Sequence, residues 1–418
     1  MARSAESRSS LRLLGERRFG PYLGGNFTSN IGNWFQNVAA GIVVYQLTGS
    51  NTMVGLVSVL QFLGTLLLAP WSGALADRFD RRKLLILAQA ISASGAIGLA
   101  IWVALEGVGG LPGVWPVFAA SGVIGLGYAI GISAMNALIP ALVEPEDLHD
   151  AIALNSASFT LARAVGPALA GIVVAALGAA WAFGINALTF LPLMVILFVL
   201  RPRPIERSRG DGSVRAGLAY VRERKAMLWL VLATLAVGWA GDPVNTLSPA
   251  YADLFGRGET FVGLQVAAFG TGAAFASVGV GRVRARLGLV SSAKMGLIFL
   301  GVGLLGFAAA PHEAVVLLAL FVAGIGFLLG ITATNSNLQH RLDEDMRGRV
   351  MALWSMAFLG SRPIAAIIDG GIADLVSPRV GALTAALPLL MGWWALGKVD
   401  DPPVVSARPV GETPDPRS

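Results

Sequence analysis

The chain has 418 residues, 55% of them hydrophobic and only 13% charged, with a formal net charge of +6 and a mean hydropathy of +0.68. Thirty-one basic and 25 acidic side chains cannot cover the apolar surface of so large a soluble protein, so lipid must cover it. Cysteine is absent, which excludes a disulfide framework, a thiolate metal site and a cysteine nucleophile; His149, His312 and His340 have no ligand spacing, so no metal is expected.

A membrane-spanning helix needs about 20 mostly apolar residues. Such runs recur twelve times, near 20–47, 52–76, 84–106, 114–142, 150–178, 180–200, 226–251, 260–281, 290–310, 313–339, 348–375 and 377–397. They are about twice the length of barrel strands and do not alternate polar with apolar, so the expectation is an all-α integral membrane protein. Between the sixth and seventh runs, residues 201–225 are rich in Pro, Gly and Arg and read as a linker, with a short surface helix at 214–224. This divides the chain into a tail (1–18), six helices (19–200), the linker (201–225), six helices (226–398) and a second tail (399–418).

Of the 31 Lys and Arg residues, 27 fall on one side of this topology. Arg257 and Arg379 fall on the other, while Arg163 and Arg362 lie inside helices. The positive-inside rule then places both termini in the cytoplasm of a multi-pass plasma-membrane protein. The eight basic residues of the linker set topology and meet anionic headgroups, or form a dedicated lipid or partner site. No nucleic-acid partner is expected.

The halves repeat. Shifted by 199 positions, 122–171 superposes on 321–370 without a gap, with 13 of 50 positions identical. Shared Gly, Ala and Leu are what any membrane helix offers, but the pairs Arg163/Arg362 and Asn136/Asn335 are not. Parallel repeats joined by a linker are the architecture of transporters whose two bundles rock about a midplane site.

The sharpest motif lies between the second and third helices: Gly73-x-Leu75-x-Asp77-Arg78-x-Asp80-Arg81-Arg82. It resembles the cytoplasmic signature of the major facilitator superfamily, Gly-x-Leu-x-Asp-Arg-x-Gly-Arg-Arg, with Asp80 where Gly is usual. That departure is found in enterobactin-exporter-like and macrolide-exporter-like permeases. Ser29-Asn30-Ile31-Gly32-Asn33-Trp34, Leu47-Thr48-Gly49-Ser50 and Leu154-Asn155-Ser156 resemble the same branch, which covers about residues 18–398. The resemblance implies two pseudo-symmetric six-helix bundles in the major facilitator fold. It also implies a proton-coupled exporter of a small amphipathic or hydrophobic compound working by alternating access. An importer of a polar molecule is the alternative, then a membrane enzyme or signalling protein. No Gly-Lys-Ser/Thr occurs, so ATP drive is not expected, nor is any cofactor; the proton gradient would be the energy source, acting on a monomer.

In the motif, Asp77 can pair with arginines or with a helix N-terminus near Arg347 and Arg349, gating the cytoplasmic side; otherwise the loop only stops translocation by its charge. Gly166-Pro167 with Gly171 resembles the Gly-Pro signature of antiporters, a helix-bend element, or is plain close packing. Arg163 and Arg362 sit midway along their helices, where a guanidinium faces a cavity or a partner. They form either a substrate or proton site or structural ion pairs, with Asp242 and Asp369 as partner candidates. Asn26, Asn30, Asn33 and Asn37, at spacings of four, three and four, share one helix face beside Trp34 and line a cavity or glue helices together. The acidic residue that related permeases often carry near Asn33 is absent. Asp242 and Asp369, and failing them Glu106, are therefore the proton-coupling candidates. The acidic run Glu144–Asp147 beside His149 reads as a solvated loop rather than a cation site.

If Asp77 gates, Asp77→Asn leaves the protein folded and inserted but lowers transport strongly. Transport at the parent rate, with equal membrane abundance on immunoblot, would rule gating out.

Overall fold

The structure is a computed structural model that describes residues 10–200, 202–203, 214–343 and 346–401; the side chains of 10–11, 65–66, 69–78, 133, 136, 214–216 and 347–348 lie outside the described set. Six helices form the first half: α1 (Phe19–Thr48), α2 (Asn51–Arg78), α3 (Arg81–Glu106), α4 (Trp115–Leu138), α5 (Leu148–Leu177) and α6 (Ala179–Val199). A short α7 (Val214–Glu223) follows. The second half holds α8 (Lys225–Ala240), α9 (Pro243–Thr246), α10 (Ser248–Leu254), α11 (Glu259–Leu287), α12 (Leu289–Ala309), α13 (Glu313–Gln339), α14 (Arg347–Leu375), α15 (Pro378–Thr384) and α16 (Leu387–Leu396).

Every expected run is occupied by helix, and ten helical stretches among the described residues are long and apolar enough to cross a membrane. The 30-residue α1 has the length, but its asparagines and glutamines lower its hydropathy; α2 qualifies only as a shorter apolar helix over Asn51–Gly64 within the described set. Two runs are interrupted. The seventh breaks into α8, α9 and α10 because Pro243 and Pro249 lack the N–H that would continue the ladder, and Asp242 N–H turns back to Trp239 O at 3.1 Å. The twelfth breaks between α15 and α16, next to Pro388. Outward faces carry large apolar side chains such as Leu105, Val199, Phe275 and Val278, a surface that only lipid covers stably.

Turns are set locally. Gly49 closes α1 in the left-handed region (φ 63°), its N–H donating to Tyr45 O at 2.7 Å. Asp80, the departure from the family motif, is the N-cap of α3: its carboxylate accepts from the N–H groups of Arg82 (2.9 Å) and Lys83 (3.1 Å). Arg81 and Arg82 each donate to a carbonyl, Ala137 O (3.0 Å) and Leu200 O (2.7 Å), tying the α2–α3 turn to neighbouring helix ends. Gly73 falls within α2, but its surroundings and the side chains of Asp77, Arg78 and Arg347 lie outside the described set. The acidic run is engaged in ion pairs: Asp147 receives Arg12 at 2.7 Å and Glu144 pairs with Arg203, whose hydrogen bond holds the Glu144 carboxyl below its ordinary range.

The halves meet along two crossings, α5 on α11 and α2 on α14. Both are backbone-close, and they correspond through the repeat. A Cβ on Gly263 would strike Pro167 O, and one on Gly55 would lie 2.5 Å from Ala366 O. One on Gly171 would lie 2.9 Å from Glu259 O, and one on Gly370 would lie 2.8 Å from Asn51 O. Gly171 and Gly370, and likewise Pro167 and Ala366, are repeat partners 199 positions apart.

All of these contacts lie toward the end of the bundle opposite the basic tail and linker, here called the far end. A latch completes the closure there. The Asp374 carboxylate on α14 accepts five hydrogen bonds from the first turn of α2 and its approach: Ser50 Oγ (2.6 Å), Asn51 N (2.6 Å), Asn51 Nδ2 (2.9 Å), Thr52 N (2.9 Å) and Thr52 Oγ1 (2.7 Å). Across the other crossing, Gln46 Nε2 donates to Glu259 Oε1 at 3.0 Å.

A hydrogen bond to a charged group contributes about 1.5–3 kcal/mol net when shielded, but Asp374 is exposed and water competes for it, so the latch as a whole biases the far end toward closure by about 1.4 kcal/mol, a factor of ten. We expect Asp374→Ala to raise the labelling rate of a cysteine placed at Asn245 about tenfold, using a bulky impermeant maleimide applied at the far end. An unchanged rate would mean that the crossings alone hold the far end shut.

Candidate transport cavity

With the far end sealed, the space between the halves opens toward the basic end as a cavity of about 560 Å³. Its walls come from α1 to α6 in one half and from α9, α10, α11, α13 and α14 in the other, reaching from Val262 and Asn245 near the far end to Leu85, Asn155 and Trp354 near the basic end.

The asparagine stripe of α1 serves two purposes at once. Asn26, Asn30, Asn33 and Asn37 all line the cavity. Asn26 also donates to Asn155 Oδ1 on α5 (2.9 Å), and Asn37 accepts from Gln61 Nε2 on α2 (2.9 Å), whereas Asn30 and Asn33 make no side-chain hydrogen bond among the described residues. Gln36, one position round the helix, faces away from the cavity and accepts from Asn186 Nδ2 at 3.2 Å within the half. Asn335 lines the wall on α13 and accepts from Gln339 Nε2 at 3.0 Å; the side chain of its repeat partner Asn136 is outside the described set.

At mid-height the two repeat-related arginines both line the cavity, in different company. Arg362 Nε lies 3.8 Å from Asp242 Oδ1, and its guanidinium stands 5.5 Å from the Phe62 ring centroid. Asp242 sits in the break between α8 and α9, is 1% exposed, and accepts from Thr246 Oγ1 at 2.6 Å. Arg163 has no carboxylate within 4 Å and no hydrogen bond among the described residues. It stands instead in an aromatic box, 5.6 Å from the Trp34 ring centroid, 5.0 Å from Phe269 and 4.8 Å from Phe327. Asp369 is reached neither by Arg163 nor by Arg362: Trp239 Nε1 donates to its Oδ1 at 3.4 Å, and it too is 1% exposed. Among the described residues both carboxylates keep one oxygen without a hydrogen-bond partner, Asp242 Oδ1 and Asp369 Oδ2. Glu106 is elsewhere, exposed at the end of α3 and outside the cavity lining.

The Gly166-Pro167 element acts here through closeness. Pro167 is accommodated within α5, which runs unbroken from Leu148 to Leu177. A Cβ on Gly166 would lie 2.9 Å from Trp34 Cβ, so Gly166 admits the indole against α5, while Pro167 O and Gly171 meet Gly263 at the crossing. Gly270 lets α11 press on Arg163 O, which fixes the height of that arginine. Sequence reasoning missed Gly263, Gly270, Gly55 and the Asp374 latch. The first three are hidden because Gly is abundant along this chain, with 52 in all.

A family model described as transmembrane secretion effector matches residues 16–413. The chain is 30% identical over 386 residues to the enterobactin exporter EntS of Shigella boydii serotype 18 (strain CDC 3083-94 / BS512), with 87% of each chain covered. Among solved structures it resembles a bacterial homologue of the iron transporter ferroportin. For the inward-facing state the TM-score is 0.73 at 20% identity, covering 94% of this chain and 100% of that one. For the outward-facing state it is 0.61 at 17% identity, covering 91% and 98%. These structural likenesses establish the fold; the sequence match establishes the kinship, and the chain belongs to the transmembrane secretion effector family of the major facilitator superfamily, a family of multi-pass membrane transporters.

Proposed function

We propose that the protein exports a small amphipathic compound by proton antiport, with both termini in the cytoplasm and the monomer as the working unit. One observation carries this reading: a cavity open toward the basic end and sealed at the far end is lined by amides, hydroxyls and aromatic rings, with two buried carboxylates at and beside mid-height. With 27 of 31 basic residues on that side, the positive-inside rule makes the open end cytoplasmic, where an exporter loads. The kinship to an exporter supports the direction of transport.

Asp242 and Asp369 are the proton carriers in this scheme. Each is shielded from water and retains one unbonded oxygen where a proton can sit. Substrate occupies the cavity on the outward stroke, and protons taken from outside occupy the carboxylates on the return.

The test is uptake of lipophilic dyes into everted vesicles energised to pump protons inward. Protein-dependent, proton-driven accumulation is expected; uptake equal to that of empty-vector vesicles, or a covalently altered dye, would overturn the export reading. Asp242→Asn and Asp369→Asn should abolish uphill accumulation and spare downhill exchange, and uphill pumping by both variants would move coupling to another residue. The Arg362–Asp242 contact has its own test. Removing one partner of a buried pair costs about 3–5 kcal/mol, because the other charge is stranded. Arg362→Ala and Asp242→Ala should each lower the thermal midpoint by several degrees, and the double variant by less than the sum; strictly additive losses would mean that the pair contributes nothing.

A further inference from the structure

The two halves place the same residue, an arginine, at the same height, and among the described residues only one of them has a carboxylate within 4 Å; the charge of Asp242 reaches Arg163 only from further off. Arg362 is answered from the seventh run by Asp242. Arg163 is answered from the first helix, the pseudo-symmetric counterpart of the seventh, by Trp34. The ring stacked from the opposite half is Phe62 on α2 for Arg362 and Phe269 on α11 for Arg163, again counterparts. The Arg163 position therefore preserves the helices and the rings of the arrangement and lacks the contacting anion.

A guanidinium in that position is costly to leave alone. Arg163 is 8% exposed and its Nε is buried without a hydrogen-bond partner. Aromatic faces attract a cation but accept none of its five N–H donors in the plane of the fork. Among the described residues the lining of the cavity contains Arg163 and Arg362 and no Asp or Glu, so none of them competes for that fork. Phe327, the third ring of the box, leads into the apolar wall formed with Phe358 and Trp354.

We propose that Arg163 is the anion-recognition residue of the cavity, and that the substrate is an amphipathic organic acid. Its acidic group takes the in-plane N–H donors of Arg163, and its apolar or aromatic body lies against Trp34, Phe327 and Phe358. This rests on the transport reading of the cavity and names its substrate class. Planar bidentate pairing explains why Arg rather than Lys stands here. The asparagines that keep free amides, Asn30 and Asn33, are placed to take further polar groups of the acid. Outward movement of an anion is also favoured by an inside-negative membrane potential, so the charge of the cargo adds to the drive.

Three probes of one shape and different charge test this: naphthoate, naphthalenemethanol and naphthylmethylammonium. Each is titrated against the full chain in nanodiscs of zwitterionic lipid, with empty discs subtracted and no gradient present. Naphthoate should bind about tenfold or more tightly than the alcohol, with the ammonium weakest. Arg163→Gln should bring naphthoate down to the alcohol, and Arg163→Lys should keep part of the difference. A second measurement needs no variant: naphthoate, but not the alcohol, should protect Arg163 of the parent from phenylglyoxal, read by peptide mass spectrometry. No preference for naphthoate in the parent, whether both probes bind or neither does, overturns the proposal. So does a preference that survives in a folded Arg163→Gln, or a failure of naphthoate to protect Arg163. Because the assay contains no gradient, an anion preference without dye export would sink the export reading alone, and dye export without an anion preference would sink this one alone.

Discussion

Charge at mid-membrane is the constraint around which this molecule is arranged. A guanidinium at the centre of a bilayer costs about 2.5–3.5 kcal/mol on insertion scales, and the chain carries two such groups, with two carboxylates besides. None of the four faces lipid. Arg362 and Asp242 offset one another across a broken helix, Asp369 is met by an indole N–H, and Arg163 is wrapped in aromatic rings. To hold these groups away from lipid the two halves must enclose a polar space, and that space is the cavity. The helix break at Gly241–Pro243 follows from the same need, since an interrupted helix frees backbone and lets Asp242 turn inward.

Enclosure requires a seam, and the seam is made of glycine. At both crossings a helix of one half lies against the backbone of the other with no side chain between them, at Gly171 and Gly263 in one case and at Gly55 and Gly370 in the other. Contacts of this kind have little side-chain entropy to lose on forming, which suits surfaces that part and meet again, as the proposed export cycle requires. They are also symmetric: Pro167 and Ala366, repeat partners, present the carbonyls that touch Gly263 and Gly55. The repeat thus supplies the α5 and α14 sides of the two crossings, while the mid-height arginines differ in company.

Much of this is legible in the sequence, for stated reasons. Twelve apolar runs are readable because hydropathy is a sum over some twenty residues and survives local noise. The repeat is readable because Arg163/Arg362 and Asn136/Asn335 are improbable in lipid-facing helix. The α1 stripe is readable because helical spacing puts four amides on one face. The interruption of the seventh run could have been read from Gly241, Pro243 and Pro249, but mean hydropathy passes over them. The different company of the two arginines is not readable, because it depends on which face of another helix arrives beside each. Asp374 shows no local signal at all: its partners lie 322 to 324 residues away, and an acid near a helix end is unremarked until its opposite number is known. The family motif is legible as a phrase, yet the role of Asp80 as the cap of α3 comes only from its backbone geometry.

The Asp374 latch is also a helix cap, and this gives the opening of the far end a solvent stoichiometry. While the halves are closed, the carboxylate satisfies the N–H groups of Asn51 and Thr52. When they part, those donors, both carboxylate oxygens and the hydroxyls of Ser50 and Thr52 must all be hydrated instead. The form open at the far end is therefore the wetter one, and its population depends on water activity at that end. Solutes too large to enter the gap would draw the equilibrium toward closure by osmotic stress alone, without touching the protein.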